Sequence, residues 1–150
     1  MREIKFRGKR TDNGEWVYGN FIADALEQVG RNDTPWGFIK YYDKSMGKGV
    51  TYEVGRETVG QYVGMKDKNG KEIYEGDIVE LVNTYRGMNQ RSVVQIAFCD
   101  YTFAGKRDCE DMPSGYIYNP LGSYNLLVVT IEVIGNIFDN ADLLKAGEKS

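Results

Sequence analysis

Five side chains near the start of the sequence have the types and spacing to bind a polyanion. Lys5, Arg7 and Lys9 fall on one face of an extended strand, because strand side chains alternate. Trp16 and Tyr18 stand on the segment that returns after the turn Thr11-Asp12-Asn13-Gly14. Cations beside aromatic rings suit phosphates and stacked bases. The strand register decides whether the two sets meet. If Arg7 lies opposite Trp16, then Lys5 lies opposite Tyr18 and all share a face. If Arg7 lies opposite Val17, Trp16 falls beside Gly8 and the aromatics turn away. The turn sequence fits both.

Other chemistry is poorly supplied. The 150 residues contain no histidine, which removes Ser-His-Asp and Cys-His arrangements and any His-ligated metal. Cys99 and Cys109 lack the Cys-x2–4-Cys spacing of a zinc site. Cys99 ends an apolar strand and reads as a small core residue. No metal, disulfide or catalytic thiolate is therefore expected. The Asp-Asn-Gly and Asp-Lys-Asn-Gly runs at Asp12 and Asp67 are out of register with calcium loops, since Lys9 or Met65 would take the first ligand position. No phosphate-loop or dinucleotide glycine pattern is present. Glu72, Glu75 and Asp77 cluster, but an acid/base pair needs separated pKa values and a defined gap. The expectation is a protein with no catalytic residues and no cofactor.

The elements that must position these residues are strands. Glycine, at 18, and tyrosine, at 11, are abundant against 3 prolines, a composition suited to short strands and tight turns. Arg2–Arg7 and Glu15–Ile22 alternate about the first Asn-Gly turn. Thr58–Met65 and Glu72–Tyr74 flank a second, at Asn69-Gly70. Trp36–Tyr42, Asp77–Val82, Arg91–Cys99, Tyr116–Tyr118 and Tyr124–Ile134 are further strands. Asp43–Lys48 reads as a polar tip, and Asp100–Ser114 as the least regular region. Ala23–Val29 has brief helical character, Arg31–Pro35 reads as loop, and Ala141–Ala146 as a short helix capped by Asp139 or Asn140. Ile4, Phe6, Val79, Ile96, Phe98, Val129, Ile131 and Val133 are the expected core. The last strand is apolar on one face and half apolar on the other, which predicts a central strand or one covered by another part of the chain or by a partner. Asp77 is placed to accept backbone N–H bonds beside Ile78–Val82.

A chain this long buries roughly 70% of its unfolded surface and holds a core unaided. These signals predict one all-β domain over residues 1–150, a small, strongly bent, barrel-like fold with a short C-terminal helix. Gly76-Asp77-Ile78-Val79 resembles a strand start of SH3-like barrels. Net charge is −3, against a uniformly basic nucleic-acid binder. Residues 1–75 carry net +1 and residues 76–150 net −4. No apolar run resembles a signal peptide, and Leu126–Ile134 is far shorter than the ~20 residues of a membrane span. With two cysteines, a reducing cytoplasm is the expected compartment.

Three segments together resemble one family. They are Arg2–Lys9 with Trp16–Asn20, then Thr58–Val79 (TVGQYVGMKDKNGKEIYEGDIV), then Glu132–Asn140 (EVIGNIFDN) with Leu143-Leu144. In order and separation they resemble the YopX family, proteins of phages and prophages. The resemblance covers roughly 60 residues and implies a largely β, intracellular phage product, with no activity and no catalytic residues to carry over. Segments 23–57 and 83–124 carry no such likeness. The leading functional expectation is a non-enzymatic accessory protein that binds itself or a host or phage protein, with abundant tyrosine suiting an interface. The alternative is weak nucleic-acid binding through Lys5, Arg7, Lys9, Trp16 and Tyr18.

Overall fold

Asparagine and glycine set the hairpins. A computed structural model describes residues 3–22, 35–99, 102–108, 116–121 and 129–147. Strands β1 (Phe6–Lys9) and β2 (Trp16–Ile22) meet at the first Asn-Gly turn, where Gly14 adopts φ 73°. Strands β3 (Trp36–Asp43) and β4 (Lys48–Gly55) follow, then a single 3-10 turn at Arg56–Thr58 and β5 (Gly60–Lys66). The pairing order of these five is β4-β3-β2-β1-β5, with β6 (Glu72–Tyr74) next to β5 across the second Asn-Gly turn. The β1–β2, β1–β5, β2–β3 and β3–β4 ladders are antiparallel.

The second sheet has the order β10-β9-β8-β7-β11. It is built from β7 (Asp77–Asn83), β8 (Gln90–Cys99), β9 (Thr102–Asp108), β10 (Tyr116–Pro120) and β11 (Val129–Asn136), again antiparallel. The helix α1 (Asp142–Gly147) ends the described chain and packs near β8. The chain divides into two compact units, Met1–Gly64 and Met65–Ser150.

The all-β class and the short helix are as expected. Among the described residues no ladder closes either sheet into a full barrel. The first unit does curl: an isolated antiparallel bridge joins Arg10 to Val54, and the Thr11 N–H donates to the Glu53 carbonyl at 3.2 Å. That bridge brings the outer strand β4 back onto the end of β1. Gly8 makes the approach possible, since a Cβ there would lie 2.9 Å from the Val54 side chain. Ile39 and Val54 are fully buried inside the curl, and Phe6 meets Phe21 at 6.0 Å between ring centroids. In the second unit the core is Ile73, Tyr74, Ile78, Val79, Val94, Ile96, Ala104 and Ile131.

Several expectations are corrected. Ile4 is 64% exposed, because β1 begins at Phe6 and Ile4 precedes the ladder. Phe98 is 54% exposed; it stands at the hairpin end of β8 and leans edge-on against Phe103, 5.1 Å away. Phe6, Val129 and Val133 are half-buried. Among the described residues the last strand is not central: β11 is an edge that pairs with β7. A bulge between Val133 and Gly135 breaks its alternation and leaves Ile134 as the extra residue. Two strands went unanticipated, β4 and β9. Asp43–Lys48 is the tight connection between β3 and β4. The readings of Ala23–Val29, Arg31–Thr34, Cys109, Tyr124–Val128 and the irregular residues around β9 lie outside the described residues, as does the Cys99 side chain.

Candidate functional site

The first hairpin closes through three bonds. The Arg10 N–H donates to the Glu15 carbonyl (2.9 Å), the Gly14 N–H to the Arg10 carbonyl (3.1 Å), and the Glu15 N–H to Asn13 Oδ1 (3.0 Å). This turn sets a register that differs from both readings offered by the sequence. Arg7 pairs with Tyr18 and Lys9 with Trp16. The consequence matches the first reading, since Arg7, Lys9, Trp16 and Tyr18 fall on one face. Lys5 extends that face beside Tyr62, whose N–H donates to the Lys5 carbonyl at 2.7 Å.

The charges on this face are largely engaged. Arg7 is 5% exposed, and its guanidinium lies 4.7 Å from the Trp16 ring centre, a cation–π contact. Lys5 Nζ is 3.5 Å from the Glu3 carboxylate and 5.7 Å from the Tyr62 ring centre. The Lys9 N–H donates to Thr58 Oγ1 at 2.8 Å, tying the hairpin to the 3-10 turn. Tyr18, by contrast, is 45% exposed.

Across β2 and β3 the same outer face becomes more apolar. Asn20 pairs with Lys40 and Ile22 with Phe38, so side chains at 18, 20 and 22 share a face with those at 36, 38, 40 and 42. Ile22, Trp36 and Tyr42 are exposed there, Tyr42 by 65%. Lys40 is the cation among them.

The opposite face of the first sheet carries a shallow depression of about 360 Å³, lined by Arg10, Glu15, Val17, Tyr18, Tyr41 and Tyr52. Tyr41 and Tyr52 stack with centroids 5.9 Å apart and planes 23° from parallel. The Arg10 guanidinium lies 4.1 Å from the Tyr52 ring centre. Asp12 holds it by two bonds, Nε to Oδ1 at 2.8 Å and Nη2 to Oδ2 at 2.5 Å, and Glu15 adds a carboxylate oxygen at 3.8 Å. The hydrogen bonding to Arg10 lowers the Asp12 pKa from its ordinary value and raises that of Arg10. Thr11 Oγ1 donates to Glu53 Oε1 at 2.7 Å. Sequence reasoning put Tyr41 on a strand but missed its partner Tyr52 because β4 went unread; the alternation Val50, Tyr52, Val54 was the available signal.

In the second unit the long central motif is a structural clasp. Asp67, 8% exposed, accepts three backbone N–H bonds: Asn69 and Lys71 to Oδ1, each at 2.9 Å, and Val133 to Oδ2 at 3.0 Å. Burial pushes its pKa up, but these donors outweigh that and hold it below the usual carboxylate value. Lys68 pairs with Glu132 at 2.7 Å, and the Lys68 N–H donates to the Ile131 carbonyl at 2.9 Å. Buried Asp77 accepts the Tyr74 N–H at 2.8 Å, as its position beside β7 predicted. The Ile137 N–H reaches the Gly76 carbonyl at 2.9 Å. Thr58–Val79 and Glu132–Asn140 are therefore held together where Lys66–Val79 meets β11. Of the clustered carboxylates, Glu72 accepts the Tyr74 hydroxyl at 2.7 Å, and burial pushes Glu75 up. A second cavity, about 470 Å³, lies on the second sheet among Asn83, Gln90, Ser92, Arg107 and Asn119. Among the described residues no helix is long and apolar enough to cross a membrane.

Comparison with known proteins gives a consistent picture. The family model described as YopX protein matches residues 5–145. The crystal structure of protein EF1440 from Enterococcus faecalis is similar over 96% of this chain and 99% of that chain, at 26% identity and a TM-score of 0.50. The X-ray structure of protein yopX from Bacillus subtilis covers the same shares at 19% identity, with a TM-score of 0.55, a likeness of fold. No curated protein matches.

Proposed function

The chain belongs to the YopX family, and on that footing we propose that it is a non-enzymatic binding module that self-associates through the outer face of its first sheet. The observation that carries this reading is the exposure of Tyr18, Ile22, Trp36 and Tyr42 on one face of β2 and β3. Large apolar side chains grouped on a sheet surface mark interaction sites. Burying each adds about 1.5–3 kcal/mol before the cost of association. A two-fold pairing of this face would meet itself, the commonest arrangement of soluble oligomers. The setting proposed is the cytoplasm of a bacterium carrying a phage or prophage; the similar proteins come from bacteria.

Sedimentation velocity over a dilution series tests the reading. The native chain should pass from dimer to monomer on dilution. Tyr42→Glu should remain monomeric with an unchanged circular dichroism spectrum, because Tyr42 is 65% exposed in the single chain. A native chain that stays monomeric at its solubility limit contradicts the proposal.

A second reading, weak binding of single-stranded nucleic acid, is favoured by one observation: Lys9 pairs with Trp16 and Arg7 with Tyr18. Arg7 lies inside; on this reading Lys9 and Lys40 meet backbone phosphates and Tyr18 stacks on a base. A salt-dependent shift of a labelled oligonucleotide, lost in the double change Lys9→Glu and Lys40→Glu, would support it.

A further inference from the structure

We propose that the depression between Arg10, Tyr41 and Tyr52, on the face opposite the proposed self-association surface, receives a basic side chain of a partner peptide. It is separate from the reading above and stands on its own geometry. The floor is aromatic: Tyr41 and Tyr52 stack at 5.9 Å, with Val17 beside them. The chain itself demonstrates what this floor accepts, because the Arg10 guanidinium already lies 4.1 Å from the Tyr52 ring centre. Tyrosine faces attract cations through the ring quadrupole, and guanidinium groups most often.

The rim supplies the sign of charge. Arg10 is matched by Asp12, which grips it with two bonds, so it presents little net charge outward. Glu15 stands 3.8 Å from Arg10 with its side chain 72% exposed. One cation therefore stands between two carboxylates. An anionic ligand would meet net negative charge, and a cation would meet both carboxylates and ring faces. The volume of about 360 Å³ is near the lower limit for ligand pockets, which fits one side chain with the peptide backbone lying across the opening.

The test is a titration of the full chain, followed by amide chemical shifts, with the capped pentapeptide Gly-Ala-Arg-Ala-Gly. A matched peptide with neutral citrulline in place of arginine is the control. The arginine peptide should shift the amides of Val17, Tyr18, Tyr41 and Tyr52, and the citrulline peptide should not. Glu15→Gln should weaken binding about threefold, the scale of an exposed ion pair, and added salt should weaken it further. Asp12→Asn should weaken binding further than Glu15→Gln, because it removes the negative charge of the mouth and frees the Arg10 guanidinium to repel the peptide's own. Neither change touches the outer face, so the sedimentation behaviour should not move. Three results would overturn the proposal: equal shifts from the citrulline peptide, the same shifts produced by inorganic phosphate, or tighter binding of spermidine than of the peptide.

Discussion

Asp67 shows how one carboxylate can hold a motif together. Its oxygens take N–H groups from Asn69, Lys71 and, 66 residues away in sequence, Val133. The local half of this role was legible, since Asp before Asn-Gly is a turn residue. The contact with Val133 was not, because nothing in the spelling of a turn names a distant strand. Asp67→Ala leaves three donors without their acceptor and should cost about 2–4 kcal/mol, read by chemical denaturation. The pH dependence follows from the lowered folded pKa. Its stabilisation is fully present above the unfolded value of about 3.9 and is lost as pH falls through the lower folded value. Asp67→Asn keeps one acceptor oxygen but sets an amide NH2 against the other site. Its melting temperature should fall less than that of the native chain between about pH 4 and pH 2. Parallel curves would contradict the assignment. Arg7 carries the opposite lesson. Alternation placed it on the expected face, but packing against Trp16 turned a candidate contact into a buried cation.

Elements were legible where turn chemistry was explicit. Both Asn-Gly hairpins formed because Gly14 and Gly70 take positive φ, 73° and 82°. Strands β4 and β9 were missed because glycine and charge interrupt them: Gly49 and Gly55 in one, Gly105, Lys106 and Arg107 in the other. The register of the first hairpin escaped because both readings carried the pairing into the turn Thr11–Gly14; Arg10 and Glu15 close it outside those four residues. Two glycines separate the causes of element stability. Gly70 has open space around it, so Gly70→Ala should cost about 1 kcal/mol through backbone conformation alone. Gly8 has an ordinary φ but faces Val54 at 2.9 Å. Gly8→Ala should cost about 1–3 kcal/mol by overpacking, and Val54→Ala should recover part of that loss in the double variant. Strictly additive losses would show that the close approach of β1 to β4 is not the cause.

At the scale of the whole molecule, composition announced an all-β chain; the family resemblance was legible in three segments only, and the family model matches residues 5–145. The division at Gly64 was not legible, because β5 runs straight through it. The doubly apolar last strand was read as central or covered, and the choice was not legible for a related reason: sequence shows that a face is apolar, and the sheet order decides whether the strand is an edge. The exposed face of β2 and β3 is the feature from which the proposed function follows, and Trp36 reports on it from inside. In a Trp16→Phe variant, Trp36 is the sole tryptophan, 38% exposed in the single chain. Its emission should move to shorter wavelength, and its quenching by acrylamide should fall, as protein concentration rises through the self-association range. Emission and quenching that stay constant across that range, with Trp36 open to solvent throughout, would contradict the account.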